Sequence, residues 1–131
     1  MDSRSPHCSI ALLRAVERED LSEVTRLLAL EADPNGVNSQ GATPLMVAAL
    51  RGNVAIAHLL VAAGADLDRQ AADGSTALMK AALWGSVEIV EALLRFGADA
   101  ALTDAEGWTA PLIARTRGHE EIVRLLTEWR P

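Results

Sequence analysis

Two stretches in the middle of the chain align without a gap: GATPLMVAALRGNVAIAHLLVAAGADLD (residues 41–68) and GSTALMKAALWGSVEIVEALLRFGADAA (residues 74–101). Equivalent residues, such as Thr43 and Thr76, lie 33 positions apart. A third copy, GWTAPLIARTRGHEEIVRLLTEWRP, begins at residue 107, and a weaker one, IALLRAVEREDLSEVTRLLALEADPN, covers residues 10–35. Self-similarity at a fixed period of about 20–50 residues is typical of repeat proteins. The sequence therefore predicts four repeats, of which the outer two are degenerate.

Each repeat has the pattern of two short helices with a glycine between them. Thr43 and Thr76 are typical N-cap residues, and Pro44 follows at the first helical position, where its missing N–H is not needed. Gly52 is suited to end the first helix because glycine adopts the left-handed conformation freely. The second helix has apolar residues at i, i+3, i+4 and i+7, and the linker ADLDRQAADG (residues 65–74) contains turn-forming residues. Neither helix is long enough to be stable alone, so we predict an all-α stack of helix–turn–helix units.

Composition and charge restrict the class of protein. Half of the 131 residues are hydrophobic, but only four are aromatic and none is tyrosine, which favours helices over a β-sandwich. The net charge of −6 disfavours a general attraction to nucleic acid or to an anionic membrane. The single cysteine excludes an internal disulfide, and the start MDSRSPHCS lacks the apolar run of a signal peptide. We expect a monomer in the cytoplasm, a compartment that the sequence does not distinguish from the nucleus.

The chain resembles the ankyrin-repeat family. The segments TPLMVAALRGNVAIAHLLVAAGAD and TALMKAALWGSVEIVEALLRFGAD carry the resemblance, which extends over nearly the whole chain from about Ile10. It implies a single-domain solenoid whose hairpin-like loops project to one side. The expected divisions are an N-terminal tail (1–9), a capping repeat (10–38), two central repeats (39–71 and 72–104) and a second capping repeat (105–131).

Three departures from the family pattern lead to structural expectations. The histidine that usually follows Thr-Pro-Leu is replaced in the last three repeats by the apolar residues Met46, Met79 and Leu112. We expect apolar packing at these positions instead. Pro111 stands where the central repeats have leucine, so we expect the start of that helix to be shifted or distorted. Glu31 replaces the glycine at which the second helices of the central repeats end, which marks the first repeat as divergent.

The sequence contains no convincing catalytic or metal-binding motif. His7 and Cys8 are adjacent near the N-terminus, but a nucleophile needs a base that folded structure holds in place. His58 and His119 are interpreted as structural helix residues. The glycines recur as helix ends and form no phosphate-binding loop. Aspartates such as Asp66 lack the glutamate that completes a calcium loop. We therefore expect no enzyme activity, no cofactor and no metal.

The first helices of the repeats carry a positive charge that the rest of the chain does not. Segments 10–18, 44–51, 77–84 and 110–117 contain six basic residues and a single acidic one, Glu17. The resemblance implies that partners contact the hairpin tips and the exposed positions of these helices. Arg and Trp most often carry interface energy, and packed helices lie about 8–10 Å apart. The predicted partner-binding residues form a ladder of cations with an apolar centre: Arg14, Arg18, Leu50, Arg51, Lys80, Leu83, Trp84, Trp108 and Arg117.

Several interpretations stay open at this stage. The leading one is an adaptor or inhibitor that binds another protein, with an acidic patch on the partner as a narrower version. The arginines could instead pair with loop carboxylates such as Asp73 and Glu106. The outer helix VAIAHLLVAAG (residues 54–64) has no charged residue and suggests a self-associating assembly component. A module for acidic ligands and an engineered scaffold without a native partner are further alternatives. We expect neither a nucleic-acid nor a membrane partner.

Overall fold

The computed structural model describes residues 6–129, with side chains from residue 8 onward, and shows the predicted all-α solenoid. Within this range there is no strand, and no helix has both the length and the apolarity to cross a bilayer. The eight helices form four pairs: α1 (Pro6–Glu17) with α2 (Leu21–Ala29), α3 (Pro44–Arg51) with α4 (Val54–Ala62), α5 (Ala77–Trp84) with α6 (Val87–Phe96), and α7 (Ala110–Thr116) with α8 (Glu120–Glu128).

The helices stack in two layers. Helices α1, α3, α5 and α7 contact one another in chain order and form the first-helix layer. Helices α2, α4, α6 and α8 do the same and form the second-helix layer. One continuous cluster of buried side chains, made largely of Leu, Ala, Ile and Val, runs between the layers. Since each short helix contacts its pair partner and its neighbours along the stack, the repeats stabilise one another.

Local capping fixes the ends of the helices, as the sequence predicts. The Thr43 and Thr76 hydroxyls accept hydrogen bonds from the backbone N–H groups of Met46 and Met79, each at 3.2 Å. Gly52, at the end of α3, has a left-handed φ of 70°, and the glycine at the end of α5 has one of 78°. These caps place the same positions of α3 and α5 on the same side of the stack.

The loops between repeats also stack. Each closes with a backbone hydrogen bond of 2.9–3.1 Å between residues four apart, and neighbouring loops are joined by a further bond of 3.0 Å. The closing pairs are Asn38 with Ala42, Ala71 with Ser75 and Asp104 with Trp108; the joining pairs are Ala72 with Gln40 and Ala105 with Asp73. The loops therefore place a second set of regularly spaced side chains next to those of the first-helix layer.

Apolar packing replaces the missing histidine at two of the three expected positions. Met46 and Met79 are each only 2% exposed and belong to the core, which confirms the expectation. Leu112 is 41% exposed, so the expectation is wrong there. Met79 faces the neighbouring helix α7, whereas no helix within residues 6–129 packs on the corresponding side of α7. The exposure of Leu112 follows from that missing neighbour.

Pro111 does not shift its helix, contrary to expectation. Helix α7 begins at Ala110, the position equivalent to the first residues of α3 and α5, and Thr109 caps it through Leu112 N–H at 3.3 Å. Pro111 lies in the first turn, where backbone N–H groups have no intrahelical acceptor. Its missing donor therefore leaves the helical hydrogen bonds intact.

The expected N-terminal tail over residues 1–9 is also corrected. Helix α1 begins at Pro6, so residues 6–9 are helical and precede the predicted start of the first repeat. Residues 1–5 lie outside the described part of the chain. The longer α1 places Cys8 partly buried against the core.

Candidate partner-binding surface

The nine predicted binding residues are all accessible to solvent. Trp84 is 63% exposed and Leu50 is 42% exposed, which is high for large apolar side chains. The four arginines Arg14, Arg18, Arg51 and Arg117 are exposed. The remaining three residues, Lys80, Leu83 and Trp108, are half-buried. Accessible Trp and Arg side chains on one layer are a common composition for the centre of a protein interface.

A cleft of about 270 Å³ lies between α5, α7 and the loops that precede them; we call it the α5–α7 cleft. Its apolar part is formed by Met79, Leu83, Trp108 and Ile113. Trp108 is held at the start of α7, because its N–H donates to Asp104 Oδ1 at 2.9 Å and its carbonyl accepts from Asp104 N–H at the same distance. The cleft is therefore preformed by the loop and helix backbones.

Three carboxylates line the loop side of this cleft: Asp73, Asp104 and Glu106. Asp73 Oδ1 accepts the Ser75 hydroxyl at 2.6 Å and the Ser75 N–H at 3.0 Å. These hydrogen bonds, with a smaller attraction from Lys80, hold the pKa of Asp73 below its ordinary value. Asp104 Oδ1 accepts the N–H of Glu106 and of Trp108, each at 2.9 Å. The two aspartates are thus fixed by turn hydrogen bonds with negative charge next to the apolar part.

Two cations, Lys80 and Arg117, line the helical side of the cleft. Among residues 8–129, the ion pairs are Arg26 with Glu23 on α2 and Arg95 with Glu91 on α6, so both belong to the second-helix layer. Neither involves the first-helix arginines, so the alternative in which these pair with Asp73 and Glu106 is wrong. Lys80 keeps only a Coulomb attraction to Asp73.

The structure does not gather all nine predicted residues in one place. Four of them line the α5–α7 cleft: Lys80, Leu83, Trp108 and Arg117. Arg14 and Arg18 line a separate depression beside Asp20 and Glu23, at the first repeat. Leu50, Arg51 and Trp84 line neither depression and are exposed on or beside α3 and α5. The predicted residues therefore form a row of positions along the stack, with one depression at the first repeat and the α5–α7 cleft near the C-terminal end.

The carboxylates of the cleft are not among the binding residues predicted from the sequence. The sequence suggests Asp73 and Glu106 only as ion-pair partners of the arginines, and Asp104 has no predicted role. The available signal was their spacing, since Asp73 and Glu106 are equivalent residues 33 positions apart, each in the loop before a first helix. Their position relative to the neighbouring helix becomes visible only when the loops are stacked.

The histidines with described side chains have structural contacts. His119 Nε2 lies 3.2 Å from the Leu83 carbonyl oxygen, a distance at which the Nε2–H tautomer donates, and its ring lies against Gly85. These contacts tie the fourth repeat to the third and confirm the structural interpretation. The His58 ring packs edge-on against Phe96, with 5.0 Å between ring centroids. Within the described part of the chain, no three His, Cys, Asp or Glu side chains are grouped as metal ligands.

Comparison with protein families matches residues 12–104 to ankyrin repeats in three copies. The matched range covers more than half of the chain and extends from α1 to the loop before α7. No curated protein matches the chain significantly.

Proposed function

The chain belongs to the ankyrin-repeat family, whose repeats generally mediate protein–protein interaction, and we propose that it is an adaptor or inhibitor that binds one protein through its first-helix layer. The contact surface comprises the exposed positions of α1, α3, α5 and α7 together with the loops that precede them. The family is typically non-enzymatic, and a role in binding alone is part of the proposal.

The observation that carries this proposal is the set of exposed side chains at the ends of the first helices. Arg18, Arg51, Trp84 and Arg117 occupy equivalent positions in the four repeats, and we call them the end-of-helix column. All four are exposed, and none takes part in an ion pair within residues 8–129. Unpaired guanidinium groups and an exposed indole contribute little to the stability of the free chain, whereas these side chains are among those that contribute most at interfaces.

The second-helix layer offers less to a partner. Two of its three exposed arginines, Arg26 and Arg95, are paired with glutamates on their own helices, and the third is Arg124 on α8. Helix α4 has no charged residue, but its exposed positions are Ala55, His58 and Ala62. Two alanines supply little apolar area for self-association. The exposed Trp84 and the unpaired arginines therefore favour binding through the first-helix layer over self-association through α4.

The proposal also includes the predicted repeat boundaries, oligomeric state and cellular location. We retain the repeat boundaries at residues 38/39, 71/72 and 104/105, a monomeric state and a cytoplasmic location. An acidic patch on the partner would complement the cations of the first helices.

A quantitative pull-down from a cell lysate tests the proposal. The native chain is compared with a variant that removes the end-of-helix column (Arg18→Ala, Arg51→Ala, Trp84→Ala and Arg117→Ala). A control variant removes exposed side chains of the second-helix layer (His58→Ala, Arg95→Ala and Arg124→Ala). Circular dichroism checks that all three chains have equal helix content and melting behaviour.

We expect the native chain and the control variant to capture the same partner, and the column variant to capture at least ten times less. That ratio corresponds to the loss of about 1.4 kcal/mol, which one interface hot spot can supply. Equal capture by the column variant, or loss of capture by the control variant, would show that the first-helix layer is not the interface.

A further inference from the structure

We infer that the α5–α7 cleft anchors an extended segment of the partner in which a basic, an apolar and an acidic residue stand at positions i, i+2 and i+4. This inference rests on the proposed function and adds the chemistry of the bound segment. The apolar side chain enters between Leu83 and Trp108, the basic residue meets the loop carboxylates, and the acidic residue meets Arg117.

The size of the cleft favours a side chain over a free small molecule. Its volume of about 270 Å³ lies below the range of roughly 300–1,000 Å³ that is usual for small-molecule sites. It is also open at the surface, between two helices and two loops, so a bound group stays connected to a chain outside. Met79, which is almost completely buried, forms part of the apolar lining and closes the base of the cleft. A single large apolar side chain from a partner fits these features.

The carboxylates of the cleft are separated from Arg117 along its length. Asp73, Asp104 and Glu106 lie on the loops, with Lys80 of α5 close enough to attract Asp73, whereas Arg117 directly follows α7. Asp73 and Asp104 use Oδ1 in their turn hydrogen bonds, and no hydrogen bond within residues 8–129 involves their Oδ2 atoms. Those oxygens can accept from a cationic residue of the partner. A segment that carries one charge of each sign therefore complements the cleft in a single orientation.

The length of α7 sets the spacing of the bound residues. Thr109 and Arg117 lie eight residues apart, which corresponds to about 12 Å along the helix axis. The loop carboxylates precede the start of the helix, so the backbone positions of the two charged ends lie about that far apart or further. An extended chain advances about 3.3 Å per residue, and four residues span about 13 Å. Residues i, i+2 and i+4 of such a chain also project to the same side.

Synthetic peptides provide the test. The matching probe is Ac-Ser-Arg-Ser-Leu-Ser-Glu-Ser-NH2, and a second probe has the same composition with Arg and Glu adjacent. A third probe replaces Glu by Lys. Binding is followed by NMR through the indole N–H signals of Trp84, Trp108 and Trp129, which report on separate places and remain readable for weak binders. The proteins are the native chain, Arg117→Glu, and the control Arg124→Glu, an exposed arginine of α8 outside the cleft.

We expect the matching peptide to shift the Trp108 signal and to leave that of Trp129 unchanged. Arg117→Glu should weaken this peptide by roughly three- to tenfold, since exposed charge pairs are worth up to about 1 kcal/mol and reversal turns an attraction into a repulsion. The Lys-containing peptide should recover the loss on Arg117→Glu and bind the native chain less well. Arg124→Glu should behave as the native chain does.

Equal shifts with the peptide whose charges are adjacent, failure of the charge-swapped pair to recover binding, or no Trp108 shift at millimolar peptide would each overturn the inference. A Trp108 shift that grows with protein concentration in the absence of peptide would mean that a second copy of this chain occupies the cleft, and it would overturn the inference as well. If the lysate partner still depends on the end-of-helix column while the peptides fail, the proposed function stands and only this inference falls.

Discussion

Glu31 has a backbone φ of 64°, in the left-handed region that strains residues with a Cβ atom. Gly64, the equivalent residue of the next repeat, has a φ of 100°. Glu19 likewise has a φ of 56°, where the next repeat has Gly52. The first repeat has thus lost its glycines but kept the backbone that they permit. The surrounding fold imposes the turn, and the first repeat bears the strain.

Replacing Glu31 by glycine should stabilise the protein. The left-handed conformation costs a residue with a Cβ about 1–2 kcal/mol, and the extra freedom of glycine in the unfolded chain returns about 0.4–1 kcal/mol of that. Glu31 is exposed and has no side-chain hydrogen bond in the described structure, so little else is lost. We expect Glu31→Gly to raise the free energy of unfolding by about 0.5–1 kcal/mol in urea titrations.

Glu17 provides the matched control for this change. It is also an exposed glutamate, but it is the last residue of α1 and does not have a positive φ. Glu17→Gly should lower the free energy of unfolding by up to about 1 kcal/mol, the cost of glycine in a helix interior, because the change relieves no left-handed strain. Destabilisation by both substitutions would show that the positive φ of Glu31 is not a source of strain.

At the scale of elements, the stacked loops hold the first-helix layer in register. Gly74 has a φ of 82°, and a Cβ built on it would lie 2.6 Å from the backbone nitrogen of Ala105 in the next loop. Gly107 has the same role in the last loop and a φ of 88°, but no atom lies within 4 Å of its Cβ position. The two glycines therefore share a backbone requirement and differ in whether another loop packs against them.

Gly74→Ala should be more destabilising than Gly107→Ala. Both changes place a Cβ at positive φ and share that strain. Only Gly74→Ala also forces apart two backbones, an overpacking effect that typically costs about 1–3 kcal/mol. We expect the difference between the two free energies of unfolding, measured in urea, to fall in that range. Equal losses would mean that the loops can separate without cost to the stack.

The features that could be predicted from sequence are those that depend on a few neighbouring residues. The threonine caps and the glycine at the end of α3 act within one turn of helix, so their residue types predict the bounds of the helices. The expectation that Pro111 shifts its helix is wrong for a local reason as well, because Pro111 lies in the first turn, where no backbone donor is required.

The features that could not be predicted depend on contacts between repeats. Leu112 is apolar and in register with the buried Met46 and Met79, and it is exposed because no further first helix packs against α7 within the described structure. The carboxylates of Asp73 and Asp104 line the α5–α7 cleft because adjacent loops stack at a fixed offset. Their place in the cleft depends on the stacking as well as on the repeat period.

At the scale of the whole molecule, charge is divided between surfaces. The chain has a net charge of −6, although the four first-helix segments hold six basic residues and one acidic residue. Much of the acidic excess lies in the loops and on the second-helix layer, in residues such as Asp66, Asp99, Glu88 and Glu121. A chain with this distribution can orient an approaching partner while like charges elsewhere keep copies of the chain apart.

Site-specific photo-crosslinking tests the central claim most directly. A photoreactive amino acid replaces Trp84 on the first-helix layer in one protein and His58 on the second-helix layer in another; both positions are exposed. Each protein is irradiated in the lysate that supplies the pull-down partner. We predict a covalent complex with that partner from position 84 and none from position 58. A complex from position 58 alone would place the interface on the second-helix layer and contradict the account.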